Sequence, residues 1–141
     1  MAGMYGTYQH SLDAKGRLFI PARLREELGD AFFVTLSPEK CLSAYSNEGW
    51  DKILDKVGQM SKIDQKKARF LFSHAAKCDL DGQGRILLPQ ALREKVGLIK
   101  SVTVVGAGES AQFWDSETWA AVDELETTQE NIESVFEELG I

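Results

Sequence analysis

"LDAKGRLFIPARLREELG", Leu12–Gly29, is answered later in the same chain by "LDGQGRILLPQALREKVG", Leu80–Gly97. A shift of 68 residues aligns the two stretches without a gap. Leu12, Asp13, Gly16, Arg17, Pro21 and Leu24 meet Leu80, Asp81, Gly84, Arg85, Pro89 and Leu92. Arg25, Glu26 and Gly29 then meet Arg93, Glu94 and Gly97. Further on, Val34-Thr35 answers Val102-Thr103. After one extra residue in the second copy, Tyr45-Ser46 answers Trp114-Asp115 and Trp50 answers Trp119. Two copies are too few for a solenoid and read as a fused pair with internal two-fold pseudo-symmetry. A unit of roughly 45 residues rarely buries enough surface to stand alone, so the copies are expected to share one core.

Local signals repeat with the copies. Tyr8–Leu12 reads as a short strand. Asp13-Ala14-Lys15-Gly16 reads as a tight turn, because Asp can accept backbone N–H groups two residues on and Gly can take positive φ. Residues 17–20 and 85–88 are apolar runs without alternation, which predicts strands buried on both faces. Pro21 and Pro89 end these strands and start short helices, and Gly29 and Gly97 stop them. Segments 32–36 and 41–45, and likewise 101–105 and 111–114, predict strand hairpins. Ser46 and Asp115 suit the N-caps of the helices that follow. Between the copies, helices are predicted over 47–60 and 62–76, the second opened by Ser61-Lys62-Ile63-Asp64 as a capping box, with Ile63, Phe70 and Leu71 on one face. The expected class is α+β, with four strands from each half closing one small β-barrel flanked by helices.

Composition narrows the function. The 141 residues are 43% hydrophobic and 27% charged, an ordinary globular balance for one compact unit. Nothing near the start reads as a secretory leader, and no apolar run is long enough to cross a membrane. Cys41 and Cys78 stand far apart outside any CxxC pattern, which predicts buried thiols in a reducing, cytoplasmic setting. With His10 and His74 they lack metal-ligand spacing, so no metal or cofactor is expected. Net charge is −6, yet residues 1–100 hold all 16 Lys and Arg against 12 acidic residues, and residues 101–141 hold 10 acidic residues and no basic one. Screening limits electrostatic reach to about 8 Å at physiological salt, so the acidic total leaves a polyanionic partner possible.

No serine, cysteine or histidine sits in a nucleophile setting, and Gly82-Gln83-Gly84 and Gly106-Ala107-Gly108 fall short of phosphate-loop patterns, so an enzyme is not expected. The doubled D-x-x-G-R is the chemical feature. Asp13 and Asp81 are read as braces of their turns. Lys15, Arg17, Arg23 and Arg25 crowd into eleven residues, and their mutual repulsion calls for a negative partner. DNA phosphate supplies that charge. Arginine can also bond guanine O6 and N7, and a two-stranded ribbon fits the major groove. The second copy has Gly82 for Ala14, Gln83 for Lys15 and Ala91 for Arg23, so the first copy is expected to make the stronger contacts. A lesser alternative assigns Gln83 to an adenine edge. Lys62, Lys66, Lys67 and Arg69 form a second basic run, read as a solvated helix face. At the acidic end, Ile132, Val135, Phe136 and Leu139 form a narrow apolar stripe that packs on its own domain or on a neighbouring subunit.

With both D-x-x-G-R copies, Val104-Val105-Gly106 and the Trp50 and Trp119 helices in place, nearly the whole chain resembles the MraZ family of bacterial transcriptional regulators, which carry two SpoVT-AbrB domains. Such chains begin near Met4-Tyr5, which makes Met1–Gly3 atypical. The resemblance implies a swapped-hairpin AbrB-type pseudo-dimer, with SpoVT-AbrB domains at 7–50 and 77–120, bridging helices at 51–76 and an acidic helical extension at 121–141. It implies a repressor that binds double-stranded DNA at the promoter of its own division and cell-wall gene cluster. It further implies a homo-oligomeric ring reading short G-rich tandem repeats, in the cytoplasm and on the nucleoid. Neither a membrane nor a small-molecule substrate is implied. Arg17 is then the principal DNA contact, supported by Lys15 and Arg23, with Arg85 matching the motif and Asp13, Gly16, Asp81 and Gly84 shaping the turns. The alternative is a protein-interaction or antitoxin-like AbrB barrel whose arginines are structural.

Overall fold

The computed structural model describes residues 3–141; of the atypical start, Met1 and Ala2 lie outside the described residues. The first half runs β1 (Thr7–Ser11), β2 (Arg17–Phe19), α1 (Ala22–Leu28), β3 (Ala31–Leu36) and β4 (Leu42–Tyr45). Three helices follow: α2 (Asn47–Gly58), α3 (Lys62–Lys67) and α4 (Arg69–Ser73). The second half repeats the order as β5 (Ala76–Asp79), β6 (Arg85–Leu87), α5 (Gln90–Val96), β7 (Ser101–Gly106) and β8 (Ala111–Asp115), and ends in α6 (Ser116–Glu126) and α7 (Gln129–Leu139).

Six strands form one antiparallel sheet in the order β1-β7-β8-β4-β3-β5, while β2 and β6 pair with each other. Exchanging each strand for its repeat reads the six-strand order backwards and returns the β2–β6 pair to itself. The duplication is therefore a two-fold of the structure as well as of the sequence. Each edge strand belongs to the other half of the chain from its neighbour: β1 pairs with β7, and β5 with β3. Neither half holds a complete sheet alone, and a single buried cluster takes Leu18, Phe32 and Leu42 from one half and Ile86, Val104 and Phe113 from the other.

Three sequence expectations change here. Residues 17–20 and 85–88 alternate after all: Leu18, Ile20, Ile86 and Leu88 are buried, while Leu87 is 59% exposed. A polar turn on one side and a helix on the other made short alternating strands look like continuous apolar runs. The partner of Val34-Thr35 is Val104-Val105 rather than Val102-Thr103. Val34 sits between Ala76 and Ala44, and Val104 occupies the equivalent place between Tyr8 and Phe113. The second copy holds two extra residues after its short helix, where Gly97 is left-handed (φ 70°, ψ 31°) while Gly29 is extended in ψ (φ 85°, ψ −177°). A two-residue slip keeps every side chain on its face, so periodicity could not reveal it. Finally, the second bridging helix breaks at Ala68 and ends at Ser73, and of the residues expected on one face Ile63 and Phe70 are exposed while Leu71 is half-buried.

The predicted caps are present. Ser46 accepts from Gly49 N at 3.1 Å, Ser61 from Asp64 N at 3.2 Å and Asp115 from Thr118 N at 3.1 Å. Trp50 anchors the bridging helices by stacking on Phe33 at 5.0 Å and meeting Phe72 edge-on at 5.8 Å. Thr35 Oγ1 donates to Leu71 O at 2.8 Å and ties α4 to the sheet. Cys41 and Cys78 are buried free thiols, and burial pushes each up to about 11, consistent with small apolar fillers.

Gly106 owes its identity to a close approach. The chain at Met4–Tyr5 crosses directly over it, and Gly106 N donates to Gly6 O at 2.8 Å. A Cβ there would run into the Met4 and Tyr5 backbone, which has no rotamer with which to yield. Gly106→Ala should therefore lose about 1–3 kcal/mol by chemical denaturation. Gly58→Ala, where nothing lies within 4 Å, should be neutral or slightly stabilising.

Candidate nucleic-acid interface

Both D-x-x-G-R turns are built alike. Asp13 Oδ1 accepts the amides of Lys15 and Arg17, each at 2.9 Å, and Oδ2 takes Arg17 Nε at 2.6 Å. Asp81 Oδ1 accepts the amides of Gln83 at 2.8 Å and Arg85 at 3.0 Å, and Oδ2 takes Arg85 Nε at 2.9 Å. The carboxylate satisfies backbone donors that a tight turn cannot pair internally. Gly16 and Gly84 complete the turns at φ 83° and 77°, a region L side chains rarely adopt.

The turns interlock across the pseudo-two-fold. Gly16 O accepts from Leu88 N at 3.0 Å, and Gly84 O accepts from Ile20 N at 2.9 Å. The short helix of each half then covers the turn of the other. The Arg93 guanidinium lies where a Cβ on Gly16 would sit, and the Arg25 guanidinium does the same over Gly84. Arg93 Nε donates to Leu88 O at 3.0 Å, and Arg25 lies 5.4 Å from the centre of the Phe19 ring. Sequence reading placed Arg25 among the crowded cations. Its role as a packing clamp was invisible because its partner is some 60 positions away in the chain.

The β2–β6 ribbon carries the exposed chemistry. With Leu18 and Ile86 turned into the core, Arg17, Phe19, Arg85 and Leu87 occupy the opposite face, Arg17 across from Leu87 and Arg85 across from Phe19. Arg85 also reaches the first turn, with Nη1 3.7 Å from Asp13 Oδ2. Arg85 is thus held by two carboxylates and its side chain is 26% exposed, against 33% for Arg17. The Asp13 contact uses Arg17 Nε, and among the described residues the η nitrogens have no hydrogen-bond acceptor, which leaves their donors for an outside one. Lys15 is fully on the surface of its turn.

The structure does not bring all four cations of the first copy together. Lys15 and Arg17 share the first turn, but α1 packs beside the second. Arg25 lies with Leu80, Asp81 and Gly84, and Arg23 borders Gly3, Tyr5, Gly6 and Tyr8. Strand exchange separates in space what the chain places side by side. The second basic run, Lys62, Lys66, Lys67 and Arg69, is exposed as expected. Among the described residues no cluster of three or more His, Cys, Asp or Glu could hold a metal, and no helix is long and apolar enough to cross a membrane.

A family model described as "MraZ protein, putative antitoxin-like" matches residues 4–72 and again 71–138. Three similar proteins carry the name transcriptional regulator MraZ. One, from Heliobacterium modesticaldum, is 44% identical over 122 residues, covering 84% of this chain and 85% of its own. One from Alkaliphilus metalliredigens is 40% identical over 140 residues, covering 96% and 98%. One from Acetivibrio thermocellus is 41% identical over 140 residues, covering 97% and 96%.

The turn carboxylates give the site a pH signature. The Arg17 amide, reinforced by its guanidinium and the Lys15 amide, holds Asp13 at about 2 although burial pulls the other way. The Arg85 amide lowers Asp81 in the same manner. A depressed carboxylate stabilises the fold above its ordinary value, 3.8, and that contribution fades as pH falls through about 2. Asp13→Asn should lower the melting midpoint by a few degrees at neutral pH. Its midpoint should then vary less than wild type between pH 4 and pH 2 in thermal melts. An unchanged wild-type slope in the variant would remove the turn carboxylate from this account.

Proposed function

The chain belongs to the MraZ family, and from that premise we propose that it is a DNA-binding transcriptional regulator which reads double-stranded DNA through the β2–β6 ribbon and its two turns. The observation that carries this reading is the ribbon face itself. Two arginines stand on one side of a two-stranded ribbon, with an exposed lysine on the adjoining turn. A ribbon of this width enters a major groove about 12 Å across, where the Arg17 η nitrogens can bond guanine O6 and N7. Lys15 supplies a phosphate contact that fixes register without reading sequence.

The two turns contribute unequally. Arg17 and Lys15 make the principal contacts. Arg85 contributes less, because Asp81 and Asp13 already hold it. Arg23 makes a separate phosphate contact from α1. Asp13, Gly16, Asp81 and Gly84 hold the turns in shape. In this reading the protein acts as a repressor at the promoter of its own division and cell-wall gene cluster, in the cytoplasm at the nucleoid, and needs no cofactor. Residues 7–50 and 77–120 are the two SpoVT-AbrB domains, exchanging hairpin strands in one barrel. The bridging helices at 51–76 and the acidic extension at 121–141 serve assembly into a ring. One small ribbon binds weakly. Several on a ring gain roughly 10²–10⁴-fold through effective concentration when the G-rich repeats match the subunit spacing.

Arg17→Ala and Lys15→Ala test the reading by different routes. Arg17→Ala should abolish preference for the G-rich repeat, an energy of about 1–3 kcal/mol per lost bidentate contact. It leaves Asp13 its two amide donors, so the fold should hold. Lys15→Ala should weaken binding to all duplexes alike and reduce the slope of log K against log salt by about 0.9. Fluorescence anisotropy across a salt series measures both. Unchanged affinity in both variants would leave the arginines structural, as in a protein-interaction or antitoxin-like barrel.

A further inference from the structure

The outward face of the ribbon carries one side chain that neither the core nor the ion pairs use. Leu87 is 59% exposed although its neighbours Ile86 and Leu88 are buried. Single exposed apolar residues are common on protein surfaces. What sets Leu87 apart is its place, directly in register with Arg17 on the adjoining strand. Opposed residues of an antiparallel pair hold their Cβ atoms roughly 4.5–5.5 Å apart. Leu87 is therefore the cross-strand neighbour of Arg17.

The other half closes off the equivalent position. Phe19 is half-buried, with the His10 ring 5.1 Å from it and the Arg25 guanidinium 5.4 Å from its centre. The second half lacks both covers. His10 is answered by Cys78, a short and buried side chain, and Arg93 donates its Nε to Leu88 O. The opening also falls beside a particular arginine. Arg85, held by Asp81 and Asp13, faces the covered Phe19, whereas Arg17, bound to Asp13 alone, faces the open Leu87. The freer arginine and the uncovered leucine form one pair.

In the major groove the apolar group on a base edge is the C5-methyl of thymine. Phosphates and the polar base edges gain nothing from an aliphatic neighbour. Successive bases lie about 3.4 Å apart along a strand, so the spacing of Leu87 from Arg17 suits the base pair next to the one that Arg17 bonds. We propose that Leu87 is a specificity-determining residue that packs on the 5-methyl of a thymine adjoining the guanine read by Arg17. The inference rests on the ribbon being the DNA-reading surface. The second half then adds an apolar contact where its own arginine is tied up, and the preferred site is a guanine flanked by thymine rather than any guanine.

Deoxyuridine in place of thymine deletes the methyl and keeps the pairing edge. The probe is a duplex carrying one G-rich repeat from upstream of the protein's own gene, with each thymine beside a guanine replaced singly by deoxyuridine. By fluorescence anisotropy, wild type should bind one of these duplexes about 4-fold more weakly than the parent, the factor for one buried methyl-sized group. Leu87→Ala should bind the parent more weakly by a similar factor and should not distinguish thymine from deoxyuridine. Leu87→Met, which restores a long apolar chain, should recover the distinction. Both variants keep the fold, since the side chain lies outside the core. Equal wild-type affinity for every duplex would overturn the proposal. So would a methyl effect that persists in Leu87→Ala, because it would belong to groove shape. Arg17→Ala separates the two failures. Lost guanine preference in Arg17→Ala without any methyl effect in wild type removes the role of Leu87 alone, whereas an Arg17→Ala that binds like wild type removes the ribbon reading and this inference with it.

Discussion

The structure depends on a pair of reciprocal backbone hydrogen bonds, Leu88 N to Gly16 O and Ile20 N to Gly84 O. Each joins the end of one half's ribbon strand to the other half's turn. Break the exchange and each half keeps a three-residue strand, a seven-residue helix and a hairpin, too little to bury Leu18 or Ile86. With the exchange in place, the ribbon closes over the core and its outward face is fixed. Asp13 and Asp81 then hold the turns through acceptor oxygens used on amides and Nε atoms. Fold and candidate site are therefore one construction.

Much of this was legible in the chain. The duplication is written as identity between two stretches 68 residues apart, while the turn chemistry, the proline starts and the helix caps depend on contacts within four residues, which leave local marks. What could not be read depends on which half meets which. Arg25 looked like one charge among four because the turn it packs on belongs to the other half; across the two-fold it covers Gly84, as Arg93 covers Gly16. Arg23 looked like a neighbour of Lys15 for the converse reason, that chain proximity is undone by strand exchange. The two-residue insertion before β7 escaped notice because it preserves the alternation of faces. Gly106 falls short of a phosphate-loop pattern in the sequence, and its constraint, the crossing of Met4–Tyr5, involves residues about 100 positions earlier.

The pattern of identity and divergence between the copies now has a physical basis. Leu12, Gly16, Pro21, Leu24, Arg25 and Gly29, with their repeats, are core, turn or clamp residues that must work twice because the two-fold uses each twice. The pairs that differ are mostly on the surface. Lys15 and Gln83, and Arg23 and Ala91, are all exposed, so changing one costs the fold little. Phe19 and Leu87 are instructive between these extremes. They occupy equivalent ribbon positions, yet only Phe19 offers a ring to Arg25 and to His10, which stands 5.1 Å away. The first half thereby buttresses its own side of the ribbon, while Leu87 remains mostly exposed.

Charge divergence also resolves the tension between an acidic protein and an anionic partner. A net −6 spread evenly would repel DNA, but residues 101–141 hold 10 of the 22 acidic residues and none of the 16 Lys and Arg, so the acidic excess belongs to that end of the chain. Residues 1–100 hold all 16 Lys and Arg against 12 acidic residues, so the stretch that carries the ribbon is basic in its own balance. Screening over a Debye length of about 8 Å at physiological salt makes that local balance, rather than the total of −6, the field that an anion near Lys15 and Arg17 would meet.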